Sequence, residues 1–558
     1  MPVSLNSSDL CRLKRKRLTT VIVVLLAASL VAGCEPYSPP TADEASIKVD
    51  GSLDYSNFQL PVPEHVFSGL TNPDRRPEEV DGSVEVPGFS EPPPGSGYDR
   101  YFRQKITWGP CAYGSSNMEC ATVLAPLDWF NPDGRAITLA MKRRPAEVSP
   151  LTDPDSPDLF INPGGPGGSA QDYVESFNAY GLHGFNIVGL DPRGSGESTP
   201  VVCGTDIQVD DYYNLNAAPA DEAGRQALIE GVGTFTHLCS QNSGILLDHI
   251  STIEAVYDFD MVRQLLRDKK FNWLGVSYGT YIGAVYLELY PDKVGRMVLD
   301  AAVNIEDPLT AEDVPRQAEG FEQALHKYAK WAAKHGYGKS EESIIKRITD
   351  YLIRLEKRPL AVGGRMLTQA QFLTGLALFM YIGESAYETL ARALSATMDD
   401  NTGTTMLAAA DALNGRTDAG YDPLASAFPA ISCKDWAGAG LKQSFEDWQE
   451  VAKKAPVFGY FSGPEIVCEI WSVDSAVQID FRGLGVPPIL VIGGTGDNAT
   501  PYQYAQSMAK ILPSAILVTR DGVGHGSYSS GSSCIDKIVL DFLNDGKTPD
   551  DGIVCQMD

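Results

Sequence analysis

A serine between two glycines is the first feature of this chain that could do chemistry. It stands in Gly275-Val276-Ser277-Tyr278-Gly279, after the apolar run that starts at Trp273 and before a helical pattern from Tyr281 to Tyr290. The glycines permit a tight strand-to-helix turn that lifts the Ser277 hydroxyl clear of the backbone. A serine hydroxyl is a weak nucleophile at neutral pH and needs a base that is itself oriented by an acid. Among seven histidines, His525 stands out in the loop Asp521-Gly522-Val523-Gly524-His525-Gly526, just past an apolar run. The loop after the preceding apolar run, Gly494-Thr495-Gly496-Asp497-Asn498, supplies the acid. Asp521 is too near His525 in sequence and lies in the wrong loop. The expected set is Ser277 as nucleophile, His525 as base and Asp497 as acid. Acyl transfer also needs amide donors for the tetrahedral oxyanion. Tyr278 N–H is one by its place after the serine. The run Asn162-Pro163-Gly164-Gly165-Pro166-Gly167-Gly168 offers the other, at Gly165 first and Gly164 next. A phosphate-binding loop is the competing reading of those glycines, but no Lys-Ser/Thr completes it.

Such loops need a frame, and the sequence supplies one. Short apolar runs, each ending in a Gly-rich turn, recur at Leu159–Ile161, Ile187–Leu190, Trp273–Val276, Met297–Leu299, Ile489–Ile492 and Ala515–Val518. Helical patterns such as Phe259–Leu266 separate several of them. Apolar strands alternating with helices predict an α/β fold with a mainly parallel sheet, whose ligands bind at the carboxyl ends of the strands. The chain order Ser, acid, His is the order this architecture uses. Cys120–Asp128 and Ala136–Lys142 read as an opening strand pair around Asn131-Pro132-Asp133-Gly134. Between 304 and 482 the period changes. Phe321, Leu325, Tyr328 and Ala332 repeat at helical spacing, as do Ile344, Ile348, Leu352 and Leu355, and a further helical stretch runs from Gln371 to Leu394. This block predicts a largely helical cap inserted before the last strands, with core segments at 101–303 and 483–558.

The amino terminus reads as an address. Arg12, Lys14, Arg15, Lys16 and Arg17 precede an apolar run of about 14 residues, short of the roughly 20 that span a bilayer but suited to a signal peptide over 1–33. Residues 34–100 are rich in Pro, Gly, Ser and acids and predict a tether. The balance of 45 basic and 72 acidic residues, a net charge of −27, disfavours nucleic acid as a partner. Of ten cysteines, Cys11 lies in the signal and Cys34 just after it. The other eight fall in sequential couples: Cys111 and Cys120, Cys203 and Cys239, Cys433 and Cys468, Cys534 and Cys555. None forms a CxxC, which weakens a metal or redox reading and favours disulfides in an oxidising compartment, although spacing alone leaves their connectivity open. No metal and no cofactor are expected.

Leu30-Val31-Ala32-Gly33-Cys34 resembles the lipobox of bacterial lipoproteins, and that resemblance implies acylation of Cys34 and anchoring to the cell-envelope membrane. The motifs NPGGPGGS (162–169), VGLDPRGSGES (188–198), LGVSYGT (274–280) and TGDNATP (495–501) resemble the prolyl and tripeptidyl aminopeptidase group of α/β-hydrolases. The likeness extends from about Trp108 to Cys555, includes the cysteine couples, and is nearest to the secreted tripeptidyl aminopeptidases. Many prolyl aminopeptidases carry a histidine before the paired glycines, where this chain has Pro163. What the resemblance implies is peptide substrates with free N-termini, from which short units, tripeptides in the main, are removed. A carboxylate in the cap suits recognition of the ammonium group, and the candidates are Asp435, Glu469, Glu465 and Glu384. Asp191 and Arg193 are expected to build structure at a strand end. An esterase using the same triad is the main alternative.

Overall fold

The computed structural model describes residues 48–49, 55, 57–68, 72, 80–147, 157–306 and 313–558. The expected signal segment and Cys34 lie outside the described residues. The central sheet has eleven strands. Its main strands are β1 (Glu119–Pro126), β2 (Ala136–Arg144), β3 (Asp158–Asn162), β4 (Asn186–Leu190), β5 (Phe271–Val276), β6 (Val294–Asp300), β7 (Ile489–Gly496), β8 (Ala515–Val523) and β9 (Ile553–Gln556). Across the sheet they run β9-β8-β7-β6-β5-β3-β4-β2-β1. From β4 through β9 every pairing is parallel, whereas β1 and β2 join antiparallel. The expected opening hairpin and parallel core are therefore present, with β9 as an additional edge strand.

Period-two alternation explains why this sheet is buried on both faces. Phe160, Trp273, Leu299 and Val491 pack to one side, whereas Leu159, Ile161, Leu274, Val298 and Leu490 pack to the other. Helices α1 (Ala170–Ser176), α2 (Glu222–Ser243), α3 (Thr252–Leu266) and α4 (Tyr278–Leu289) belong to the first core segment. Ser251 caps α3 by accepting the Glu254 amide.

The inserted block has a core of its own. Helices α5 (Asp313–Lys334), α6 (Glu341–Lys357), α7 (Gln369–Ile382), α8 (Tyr387–Met398), α9 (Thr404–Asn414), α10 (Leu424–Asp435) and α11 (Leu441–Lys454) supply most of it. Leu325, Tyr328, Ile348, Leu352, Leu376 and Met406 form a cluster separate from the two sheet faces. The chain then returns to the sheet, where α12 (Tyr502–Ile511) and α13 (Ser533–Asp545) complete the core. The eight coupled cysteines pair sequentially as four disulfides, 111–120, 203–239, 433–468 and 534–555.

The segment between 55 and 100 contributes packed residues instead of hanging free. Tyr55 stacks on Phe102, and Phe58 packs against both Tyr98 and Phe102. His65 O accepts the Asp480 amide at 3.0 Å, and Phe67 N donates to Gln478 O at 2.9 Å. Pro and Gly content predicts chain that cannot build a core, but these scattered aromatics add themselves to an existing one.

Arg193 is the largest fully buried charged side chain in the first core segment, just after β4. Its Nε and Nη2 donate to Asp258 at 2.7 and 2.8 Å, and its remaining donors reach the carbonyls of Pro126, Leu127 and His249. Asp191 is buried beside it and accepts from Gln171, Ser169 and Glu197. Both thus build structure as expected. Removing one partner of such a pair strands a charge, so Arg193→Leu should destabilise the oxidised protein by roughly 3–5 kcal/mol in denaturant titrations. A loss below about 1 kcal/mol would contradict this account of the strand end.

Candidate active site

Ser277 follows β5 directly and initiates α4 with φ 57° and ψ −126°. This conformation is nearly closed to residues with a side chain and typically costs about 1–3 kcal/mol. It persists because the surroundings leave no other path. Ser277 N donates to Asp300 O at 3.0 Å, and Ser277 O accepts Thr280 N at 2.8 Å. Neighbouring backbones close in where a Cβ is missing. A methyl on Gly164 would meet Val276 O at 2.5 Å and Tyr278 N at 2.8 Å, and one on Gly275 would meet Gly279 O at 2.2 Å. The Gly164 segment is therefore pressed against the serine turn, as an oxyanion loop requires.

Within that loop the two candidate amides differ. Gly164 N already donates to Asn162 Oδ1 at 2.8 Å. Gly165 is exposed, and among the described residues nothing accepts its N–H. Gly165 is thus the freer donor, with Tyr278 N–H at the start of α4.

Asp497 and His525 meet as the motifs predict. His525 Nδ1 lies 2.9 and 3.0 Å from the two Asp497 oxygens. Asp497 is buried and also accepts the amides of Ala499 at 3.0 Å and Thr500 at 2.9 Å. An imidazole bound this way at Nδ1 keeps Nε2 for proton exchange with a hydroxyl. Asp521 sits apart, accepting from the Thr495 hydroxyl. His183, His249 and His326 each face a carboxylate elsewhere.

Three further residues hold the histidine loop: Thr500 lies within the TGDNATP stretch, whereas Tyr381 and Arg520 belong to no sequence motif. Thr500 Oγ1 is 3.3 Å from His525 Nδ1. Tyr381, in the last turn of α7, accepts the His525 amide at 3.0 Å and sets its ring edge-on to the imidazole at 5.4 Å. The cap therefore touches His525 itself. Buried Arg520 donates to Val523 O at 3.2 Å and to Gly524 O. Burial lowers its pKa, and the charges of Asp497 and Asp300 oppose that shift. Helical and strand periodicity reports which face is buried, not which carbonyl a side chain reaches.

A cavity of about 570 Å³ opens beside this site. Ser277 does not line it. The cavity begins one helical turn on, at Tyr281, and continues along Asn304, Trp436, Glu465 and Phe481 into the cap. Its walls include Glu306, Asp447, Glu465 and Glu469 and, among the described residues, no Lys, Arg or His. The amine-binding candidates separate cleanly here. Asp435 is fully buried and does not line the cavity; it accepts Thr252 N at 2.8 Å, Thr252 Oγ1 at 2.7 Å and the Tyr278 hydroxyl. Burial pushes its carboxyl up to about 6, against the pull of those bonds. Glu469 is taken by the amides of Ala439 and Gly440 and by Ser444 Oγ, at the start of α11. Glu384 lies in the one-turn helix Glu384–Ala386 and is not a cavity residue. Glu465 alone of the four faces the cavity without a donor from the described residues. It is open to the cavity space yet surrounded by protein, and desolvation pushes its pKa above the ordinary glutamate value. It also holds a positive φ of 46°. Asp128, His249 and Glu254 are the described residues grouped closely enough for a metal ion. Arg193 stands 3.6 Å from Glu254 and already supplies that cluster with a cation.

A family model described as alpha/beta hydrolase fold matches residues 157–532. The chain belongs to the α/β-hydrolase family. Relatives of this α/β-hydrolase include serine protease Hip1 of Mycobacterium tuberculosis, 32% identical over 81% of this chain and 91% of that protein. A tripeptidyl aminopeptidase of Streptomyces lividans is 28% identical over 82% of this chain and 87% of its own length. Carboxylesterase B of Mycobacterium tuberculosis is 30% identical over 78% and 86%. The α/β-hydrolase is a serine hydrolase. For this enzyme, Ser277→Ala should abolish both turnover and labelling by a fluorophosphonate while leaving the melting temperature near that of the parent. Asp497→Asn should lower kcat by roughly 10⁴, as in comparable triads. Near-parental kcat in the asparagine variant would remove Asp497 from the acid role.

Proposed function

We propose that this serine hydrolase is an exopeptidase that releases short peptides, tripeptides in the main, from free N-termini through an acyl-enzyme. The observation that carries the reading is Glu465, a carboxylate with no donor among the described residues, in a cavity that starts one turn from Ser277. Such a group matches an ammonium ion and discriminates against a blocked terminus, which would leave it unpaired. The cavity volume is within the range of small-ligand sites, roughly 300–1,000 Å³, and its aromatic walls suit apolar side chains.

In the proposed mechanism the peptide N-terminus pairs with Glu465 and the scissile carbonyl reaches Ser277. His525 Nε2 takes the hydroxyl proton while Asp497 holds the ring and stabilises the imidazolium. The carbonyl oxygen becomes an oxyanion facing the amides of Tyr278 and Gly165. His525 then gives the proton to the leaving amine, and water repeats the sequence to release the peptide acid.

The relative named carboxylesterase B favours a second reading, an esterase on the same triad. Ala-Ala-Pro-, Pro- and acetyl-blocked arylamides offered beside a short acyl ester separate the two. Cleavage of the unblocked tripeptidyl arylamide, with the blocked one resistant, is expected; cleavage of the ester alone would overturn the exopeptidase.

Glu465→Gln should raise KM for free-amine peptides by roughly ten- to hundredfold, the worth of one charge-assisted hydrogen bond, and leave the ester unaffected. The carboxyl must be ionised to hold the amine, and its pKa is raised. Peptide kcat/KM should therefore fall on acidification at a pH above that of an ordinary glutamate. That step should be absent from the ester profile and from the glutamine variant. Peptide and ester profiles that coincide would contradict the assignment.

We also propose that the enzyme is exported and lipid-anchored at Cys34, supported by the lipobox-like Leu30–Cys34 sequence. Mass spectrometry of the mature protein should find residue 34 at the N-terminus carrying acyl chains, and Cys34→Ala should release the enzyme from membranes. Membrane retention of that variant would contradict the anchor.

A further inference from the structure

Asp300 ends β6 between the two strands that present the site. It is in register with Val276 of β5 on one side and Ile492 of β7 on the other. Its carbonyl accepts the Ser277 amide at 3.0 Å. Its Oδ2 accepts the amides of Ser527 at 2.9 Å and Tyr528 at 2.8 Å, two and three residues beyond the histidine. One residue thus fastens both the serine turn and the histidine loop.

Its chemistry is expensive for a strand end. The side chain is 1% exposed, and Oδ1 has no hydrogen-bond partner within reach among the described residues. A buried carboxylate usually costs more than an apolar residue of similar size. Burial raises its pKa, and the two amides and the Arg520 charge oppose that shift. Backbone strain collects on the segments it joins. Six non-glycine residues have positive φ among the described residues, and Ser277, Ala301 and Ser529 are three of them. Ala301 follows Asp300 at φ 54°, and Ser529 closes the histidine loop at φ 60°. Strained backbone of this kind persists only where its surroundings over-determine it.

We propose that Asp300 is a positioning residue that sets the separation of Ser277 and His525 by clamping the serine turn to the histidine loop. The inference rests on Ser277 and His525 being the catalytic pair. The carbonyl fixes the height of the serine turn relative to the β6 edge. The carboxylate pulls residues 527 and 528 to the same edge, so the two reacting side chains share one reference point.

The test compares Asp300→Leu, which fills the site but accepts nothing, with Asp300→Asn, which still accepts amides. Both are made in the full chain and assayed with a peptide arylamide and a fluorophosphonate. Asp300→Leu should lower kcat and the labelling rate together by about ten- to hundredfold with KM nearly unchanged, the cost of a misplaced reacting pair. Asp300→Asn should recover most of that loss. If the leucine variant does not fold, Asp300→Ser, too short to reach both amides, takes its place with the same expectation. Wild-type kcat in the non-accepting variant would overturn the proposal. So would an asparagine variant no better than leucine, or a loss carried by KM. Ser277→Ala separates the two levels of inference. If Ser277→Ala is inactive and Asp300→Leu is fully active, the clamp alone fails; if Ser277→Ala still turns over, the catalytic pair beneath it fails.

Discussion

Holding one serine in a conformation that side chains avoid is the constraint on which this structure turns. The left-handed φ of Ser277 points its hydroxyl away from β5, and its local cost must be met by contacts that exist only in the folded core. Those contacts explain the composition around it. Gly275 and Gly164 are glycines because another backbone occupies the place of their Cβ, and Asp300 contributes a carbonyl where the serine amide needs one. A parallel sheet suits the task because every strand from β3 to β8 delivers its carboxyl end to the same edge.

The cap does two jobs with different physics. Its aromatic and acidic walls give the cavity a field favourable to cations, with no basic lining residue among the described residues. Its α7 terminus also touches the histidine, through the Tyr381 carbonyl and ring. The block that lines the cavity is thus the one that also holds His525. The return segment toward the sheet adds a further link, since Gln478 and Asp480 bond the stretch that includes His65 and Phe67. Chain near the amino terminus therefore braces a wall of the cavity.

Much of this was legible in the residues. Ser277, Asp497 and His525 each sit just past an apolar run, in the chain order Ser, acid, His that this architecture uses. Local signals cannot rank cap carboxylates. Asp435, Glu469 and Glu465 look alike in sequence, and only tertiary donors distinguish the two that are occupied from the one left free. Arg520, Thr500 and Tyr381 escape for the same reason: their roles are to reach particular carbonyls or rings across the fold. The aromatics at 55 and 58 were hidden by Pro- and Gly-rich surroundings, because composition averages over the few positions that pack.

The central claim is spatial, that the Ser277 hydroxyl, the His525 imidazole and two backbone amides surround one reacting carbon. A crystal structure of the protein after reaction with a fluorophosphonate tests it most directly. The account predicts phosphorus on Ser277 Oγ, a phosphoryl oxygen within hydrogen-bond reach of the Tyr278 and Gly165 amides, and His525 Nε2 beside the ester oxygen. An adduct on another residue, or a phosphoryl oxygen turned away from both amides, would contradict it.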